Sequence, residues 1–191
     1  MSDAPEPDKV PGAPHPRDAA TVFGQGAAEA DFLDAFNAGR LHHAWLISGL
    51  RGVGKATLAW RIARFLLATP EAGDGLFGET LAPDTLDVAP DHPVARRMAA
   101  GAEPGFSHVI RRVNDSTGRL RKDIVAENVR DLNRFLQMSR TDGGRRVVLI
   151  DSADEMNMQA ANALLKMLEE PPERTTFLLI SHQPARLLPT I

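Results

Sequence analysis

The sequence has no cysteine among its 191 residues. Disulfides and thiolate zinc sites are therefore excluded. No apolar run approaches the roughly 20 residues of a membrane-spanning helix. Residues 1–17 contain five prolines and no apolar core, so they do not form a secretory signal, and the expected compartment is the cytoplasm. A strong charge of one sign is also missing. The formal net charge is −3, so the surface as a whole does not read as nucleic-acid binding. Aromatics are scarce and hardly interrupt the basic middle third (Arg111, Arg112, Arg119, Arg121, Lys122, Arg130, Arg134, Arg145, Arg146). That scarcity argues against a base-stacking platform for single strands, and the charges read as solvated or partner-facing.

What is present suits one globular domain with a small appendage. The hydrophobic fraction is 43% and the charged fraction 25%, both ordinary. Residues 1–18 read as a disordered tail. Helical periodicity runs through 21–38, closed by Gly39, and again through 56–68, 124–138 and 157–169, the last stopped by Pro171-Pro172. The apolar run 44–47, residues 107–113, residues 146–151 around the apolar core 147–150, and residues 175–181 read as strands. Residues 114–118 and 141–144 read as turns. Residues 69–105 form a loop-rich insertion with one short helix at 93–100. Strands alternating with helices imply parallel crossovers. The expected fold is an α/β sandwich, a parallel β-sheet flanked by helices on both faces.

The turn between the first strand and the second helix carries the chemistry. Gly49, Gly54 and Lys55, with Gly52 between them, follow the phosphate-loop pattern of a P-loop NTPase. Glycines let backbone N–H groups wrap phosphate oxygens, and the lysine reaches the terminal phosphates. The next position should supply a hydroxyl for Mg²⁺, but it is Ala56. Thr57 is one residue further, rotated by about 100° on a helix, and does not substitute.

A second position is also missing. Val147-Val148-Leu149-Ile150-Asp151 is an apolar strand ending in a carboxylate, the arrangement that positions metal-bound water in P-loop ATPases. Many hydrolysing members place a glutamate next, whereas this chain has Ser152, which is no base at neutral pH without a partner. Asp154 and Glu155 follow. One of them could serve as base, but they read better as acids favoured by a nearby helix N-terminus. The two losses together point to a site that at most binds nucleotide.

Residues 147–172 read VVLIDSADEMNMQAANALLKMLEEPP, and residues 176–191 read TFLLISHQPARLLPTI. Both resemble bacterial DNA polymerase III clamp-loader subunits, and Asn162 through Pro172 is the most specific stretch. Leu41-His42-His43-Ala44-Trp45-Leu46 resembles the same family. The resemblance covers about 21–191, and the degenerate metal and base positions place it with the delta prime branch rather than the ATP-hydrolysing gamma/tau branch.

The resemblance implies an AAA+, RecA-like nucleotide-fold domain over 19–191. It implies a non-catalytic member of a five-subunit ring that loads the sliding clamp on primed DNA. The partners would be gamma/tau and delta subunits, with primer-template DNA met through the assembled complex. The chain ends where the family's Ser-Arg-Cys motif should begin, so the donated arginine, the lid and the collar are expected to lie outside it. Members often bind zinc after the P-loop helix. Here only the lone imidazole of His92 stands in that segment, and no zinc is expected. The expected nucleotide site is Gly49, Gly52, Gly54, Lys55, Ala56, Thr57, Asp151 and Ser181. No catalytic residue and no metal ligand are assigned, no cofactor is required, and weak ATP or ADP binding without productive Mg²⁺ is compatible with what remains. Ser181 matches the family's γ-phosphate sensor position, or else it is a polar strand end. Arg51 either touches phosphate or an acidic neighbour, or is solvated. The alternatives are an active ATPase of the gamma/tau type and, against the Leu168-Glu169-Glu170-Pro171-Pro172 stretch, a P-loop phosphotransferase.

Overall fold

A computed structural model describes residues 6–19, 21–69, 82–138 and 144–188. Four strands, β1 (Ala44–Ser48), β2 (Phe106–Val109), β3 (Arg146–Asp151) and β4 (Thr175–Ser181), form one sheet. Their order is β1-β4-β3-β2, and every pairing is parallel. Parallel neighbours need crossovers, which helices supply. Helix α1 (Gly26–Asn37) precedes β1, and α2 (Lys55–Ala68) and α3 (Pro93–Ala99) lie between β1 and β2. Helix α4 (Ala126–Gln137) links β2 to β3, and α5 (Met158–Glu169) links β3 to β4.

The two faces of the sheet carry separate cores. Val147 and Leu149 of β3, with Leu178 and Ile180 of β4, pack against α1, α2 and α3. The alternate residues, Val148, Ile150, Phe177 and Leu179, pack against α4 and α5. This is the period-two alternation of a strand with both faces covered, which explains the unbroken apolar runs 147–150 in β3 and 177–180 in β4. All seven residues of β4 are buried. The expected parallel sheet with helices on both faces holds.

Strands 146–151 and 175–181 appear with the expected bounds. Other ends differ for local reasons. Helix α1 starts at Gly26 rather than 21, because Gly24 takes a left-handed φ of 74°. Its end is as expected: Gly39, at φ 64°, donates to Phe36 O, and Arg40 donates to Ala35 O. Strand β2 stops at Val109 instead of 113. Val113 pairs antiparallel with Leu120 instead, around a turn in which Asn114 Oδ1 accepts from the Ser116 and Thr117 N–H groups. Helix α4 starts at Ala126 because Ile124 bridges to Met156. Asn157 caps α5, its Oδ1 accepting from the Ala160 N–H at 2.9 Å. Residues 70–81 of the 69–105 insertion and 141–143 of the 141–144 turn lie outside the described residues, and the short helix expected at 93–100 is α3.

The reading of 1–18 as a disordered tail needs correction over residues 6–18. His15 is buried at 5% exposure, and its Nε2 lies 2.8 Å from Asp8 Oδ2. Its ring meets Trp60 of α2 edge-on at 6.0 Å. Proline-rich composition signals a chain that cannot form its own core. It does not signal one that borrows a neighbour's, as this segment does. The borrowing also helps to bury the Trp60 side of α2, whereas Arg61 is covered through its ion pairs with Glu29 and Asp87.

Candidate functional site

The carboxyl ends of β1, β3 and β4 converge. Ser48 is opposite Ser181 and Asp151 is opposite Ile180, so the loop leaving β1, the carboxylate ending β3 and the hydroxyl ending β4 share one rim of the sheet. Open parallel sheets hold their ligands at this rim.

The loop from Gly49 to Gly54 needs its glycines. Gly49, Gly52 and Gly54 have φ of 145°, 86° and 93°, which L-residues with side chains rarely adopt. Gly54 is also crowded, since a Cβ there would sit 3.0 Å from Val22 Cγ2. The segment before α1 supports the loop from outside, with Gln25 Nε2 donating to Val53 O at 2.7 Å. Lys55, the first residue of α2, is buried. Its Nζ donates to Gly49 O at 2.8 Å and to Leu50 O at 2.6 Å. Burial lowers the Lys55 ammonium below the ordinary lysine value, against the opposing pull of Asp151 and Asp154.

Ala56 packs its methyl against the α1–α2 core. Thr57 is the third residue of α2 and half-buried. Burial, reinforced by the negative charges of Asp8 and Glu155, pushes the Asp151 carboxyl up to about 6, while Lys55 and Arg51 act against that rise. Ser181 is fully buried, and its Oγ has no hydrogen-bond partner among the described residues.

The two acids after Ser152 occupy a 3₁₀ turn, Ala153–Glu155, and both are engaged. Asp154 is buried and accepts from the His182 N–H at 2.9 Å, tying β3 to β4. Glu155 takes Arg51 of the loop at 3.2 Å and Arg111 Nε at 2.7 Å. Arg51 thus touches an acidic neighbour. His182 joins the site as well. Burial, then the charges of Lys55 and Arg51, lower its imidazole below the ordinary histidine value. Sequence reasoning assigned no role to His182, Gln25 or Asp8, and it read Arg111 as solvated or partner-facing, whereas the fold pairs it with Glu155. None belongs to a motif, and only the adjacency of His182 to Ser181 offered a signal.

His92 is accounted for locally. Its Nδ1 accepts from the Val94 N–H, capping α3 ahead of Pro93. Among the described residues, no three His, Cys, Asp or Glu side chains are grouped to hold a metal. No helix among them is long and apolar enough to cross a membrane. Chemically, the loop offers backbone N–H groups and one ammonium to phosphate oxygens. A magnesium ion there would find the Asp151 carboxylate and no hydroxyl at position 56.

The family described as DNA polymerase III, delta subunit, matches residues 24–191. Among relatives, DNA polymerase III subunit delta' of Pseudomonas aeruginosa is 42% identical over 149 residues, which is 78% of this chain and 40% of that protein. Subunit delta' of Escherichia coli is 34% identical over 157 residues, 82% of this chain and 42% of that protein. Subunit tau of Escherichia coli is 33% identical over 176 residues, 92% of this chain and 24% of that protein. The chain therefore spans 40% and 42% of the length of these two delta' relatives.

Proposed function

The chain belongs to the DNA polymerase III delta-subunit family, and from that premise we propose that it is a delta-prime-type clamp-loader subunit that does not hydrolyse ATP itself. In this role it joins gamma/tau-type and delta-type subunits to load the sliding clamp on primed DNA. It meets primer-template DNA through the assembled complex. It requires no cofactor and no zinc, and it binds ATP or ADP weakly without productive Mg²⁺.

The observation that carries this reading is Ala56. A metal held only by Asp151 lacks the hydroxyl that bridges loop and cation in hydrolysing members. The engagement of the neighbouring acids supports it. A general base must reach the attacking water, and Asp154 is bonded to the His182 N–H while Glu155 is bound between two arginines.

A second reading, an active ATPase of the gamma/tau type, draws on the tau relative. Its 33% identity is close to the 34% of delta' from the same organism, so identity alone does not separate the two. Ala56 and Ser152 support the first reading. Calorimetric titration with ATP, with and without Mg²⁺, paired with steady-state phosphate release, tests the choice. Magnesium-independent affinity and no turnover are expected. Turnover that needs Mg²⁺ and disappears in Lys55→Ala would establish the second reading. Failure of the full-length protein to associate with gamma/tau-type subunits would remove the clamp-loader assignment.

A further inference from the structure

Both cations of the 49–55 loop have partners within the chain. Lys55 Nζ donates to Gly49 O at 2.8 Å and to Leu50 O at 2.6 Å. Arg51 reaches out of the loop, its Nη2 donating to Oε1 of Glu155 at 3.2 Å. Glu155 is the fixed member of that pair. Its carbonyl accepts from the Ile124 N–H at 2.8 Å, its N–H donates to Ser152 O at 3.0 Å, and its Oε2 stands 2.7 Å from Arg111 Nε. Its side chain is 19% exposed, against 69% for Arg51. The guanidinium is therefore the member free to move.

Strand β4 lies between β1 and β3 in the sheet. The contact thus joins the two segments that flank the end of β4, on the rim where open parallel sheets hold ligands. A guanidinium fork suits phosphate oxygens as well as it suits a carboxylate. An ion pair as exposed as that of Arg51 adds little to stability. Its consequence falls on binding, because Glu155 offers Arg51 the same kind of partner that a phosphate would.

We infer that Glu155 is an internal competitor for phosphate: by holding Arg51 it withholds the second cation of the 49–55 loop from an anionic ligand, an autoinhibitory contact that the ligand must break. This rests on reading that loop as a nucleotide cradle. The ligand gains Arg51 only by displacing Glu155, so its affinity is lowered by whatever the internal pair contributes.

Calorimetric titration with Mg²⁺-free ATP tests this in four whole-chain proteins: the unaltered chain, Glu155→Gln, Arg51→Gln and the double variant. Neither position belongs to a core of the sheet, so the substitutions leave the packing intact. Glu155→Gln should bind about threefold more tightly than the unaltered chain, the scale on which partly exposed ion pairs act. In the Arg51→Gln background the same substitution should give no gain, because the group it releases is gone. That comparison separates competition for Arg51 from the mere loss of a negative charge near the site. An equal gain in both backgrounds, or no gain in either, overturns the inference and leaves the nucleotide site standing. No binding by any of the four overturns the inference together with the reading of the loop. Other subunits take no part, so a failed clamp-loader assembly is a separate result.

Discussion

Arg51 in the glycine-rich loop after β1 donates through Nη2 to Oε1 of Glu155, beyond β3, at 3.2 Å, across 104 positions of sequence. With Arg111 on its other oxygen, Glu155 joins three segments at the rim of the sheet. A carboxylate so placed is a structural tie, and that role separates it from a catalytic base in experiment.

Glu155→Gln should leave Mg²⁺-ATP turnover at the level of the unaltered chain. It should lower stability by about 1 kcal/mol, the scale of partly exposed ion pairs. Phosphate release together with urea denaturation checks both. A variant whose turnover falls from a measurable value while its stability holds would identify Glu155 as the base.

Ala56→Ser restores the missing hydroxyl at the second residue of α2. ATP affinity in the variant should become magnesium-dependent, where that of the unaltered chain should not. Turnover should stay absent, because position 152 still lacks a glutamate. Calorimetry with and without Mg²⁺ reads the first outcome, and a phosphate assay the second.

Two buried groups give opposite pH responses. Burial lowers His108 to about 4, so its contribution to stability is complete above the unfolded value of 6.5 and is lost as pH falls from 6.5 towards 4. Asp151, raised to about 6, carries a penalty that is complete above 6 and relieved as pH falls towards 3.8. Asp151→Asn should therefore be more stable than the unaltered chain at pH 7.5, by up to about 3 kcal/mol. The gain should vanish by about pH 4. Urea midpoints across this range measure it, and a difference that does not vary with pH would contradict the assignment to Asp151.

Phe177→Ala should cost about 3–5 kcal/mol, because the ring is fully buried on the central strand and the core on the α4–α5 face cannot close around the void. Chemical denaturation measures the loss. A cost below about 1 kcal/mol would mean that this face is loosely packed.

Strands β3 and β4 were legible because a strand buried on both faces carries an unbroken apolar run, and 147–150 and 177–180 are such runs. The loop was legible because its glycines and lysine are dictated by local geometry. Helix α5 announced its start through Asn157 and its stop through Pro171-Pro172. Strand β2 was harder to read. It is four residues long, and the apolar residues after it belong to a bridge between Val113 and Leu120 that only the folded chain reveals.

The residues themselves determined that the cradle has no hydroxyl at 56 and no acid at 152, since an absent side chain is absent in every conformation. Tertiary structure decided what the remaining charges do. Asp8, Arg51, Arg111, Asp154 and Glu155 each found partners far away along the chain, and neither composition nor spacing encodes such meetings. Residues 6–18 show the difference most clearly: their prolines rule out a core of their own, while the folded domain supplies Trp60 and His108 for them to pack against.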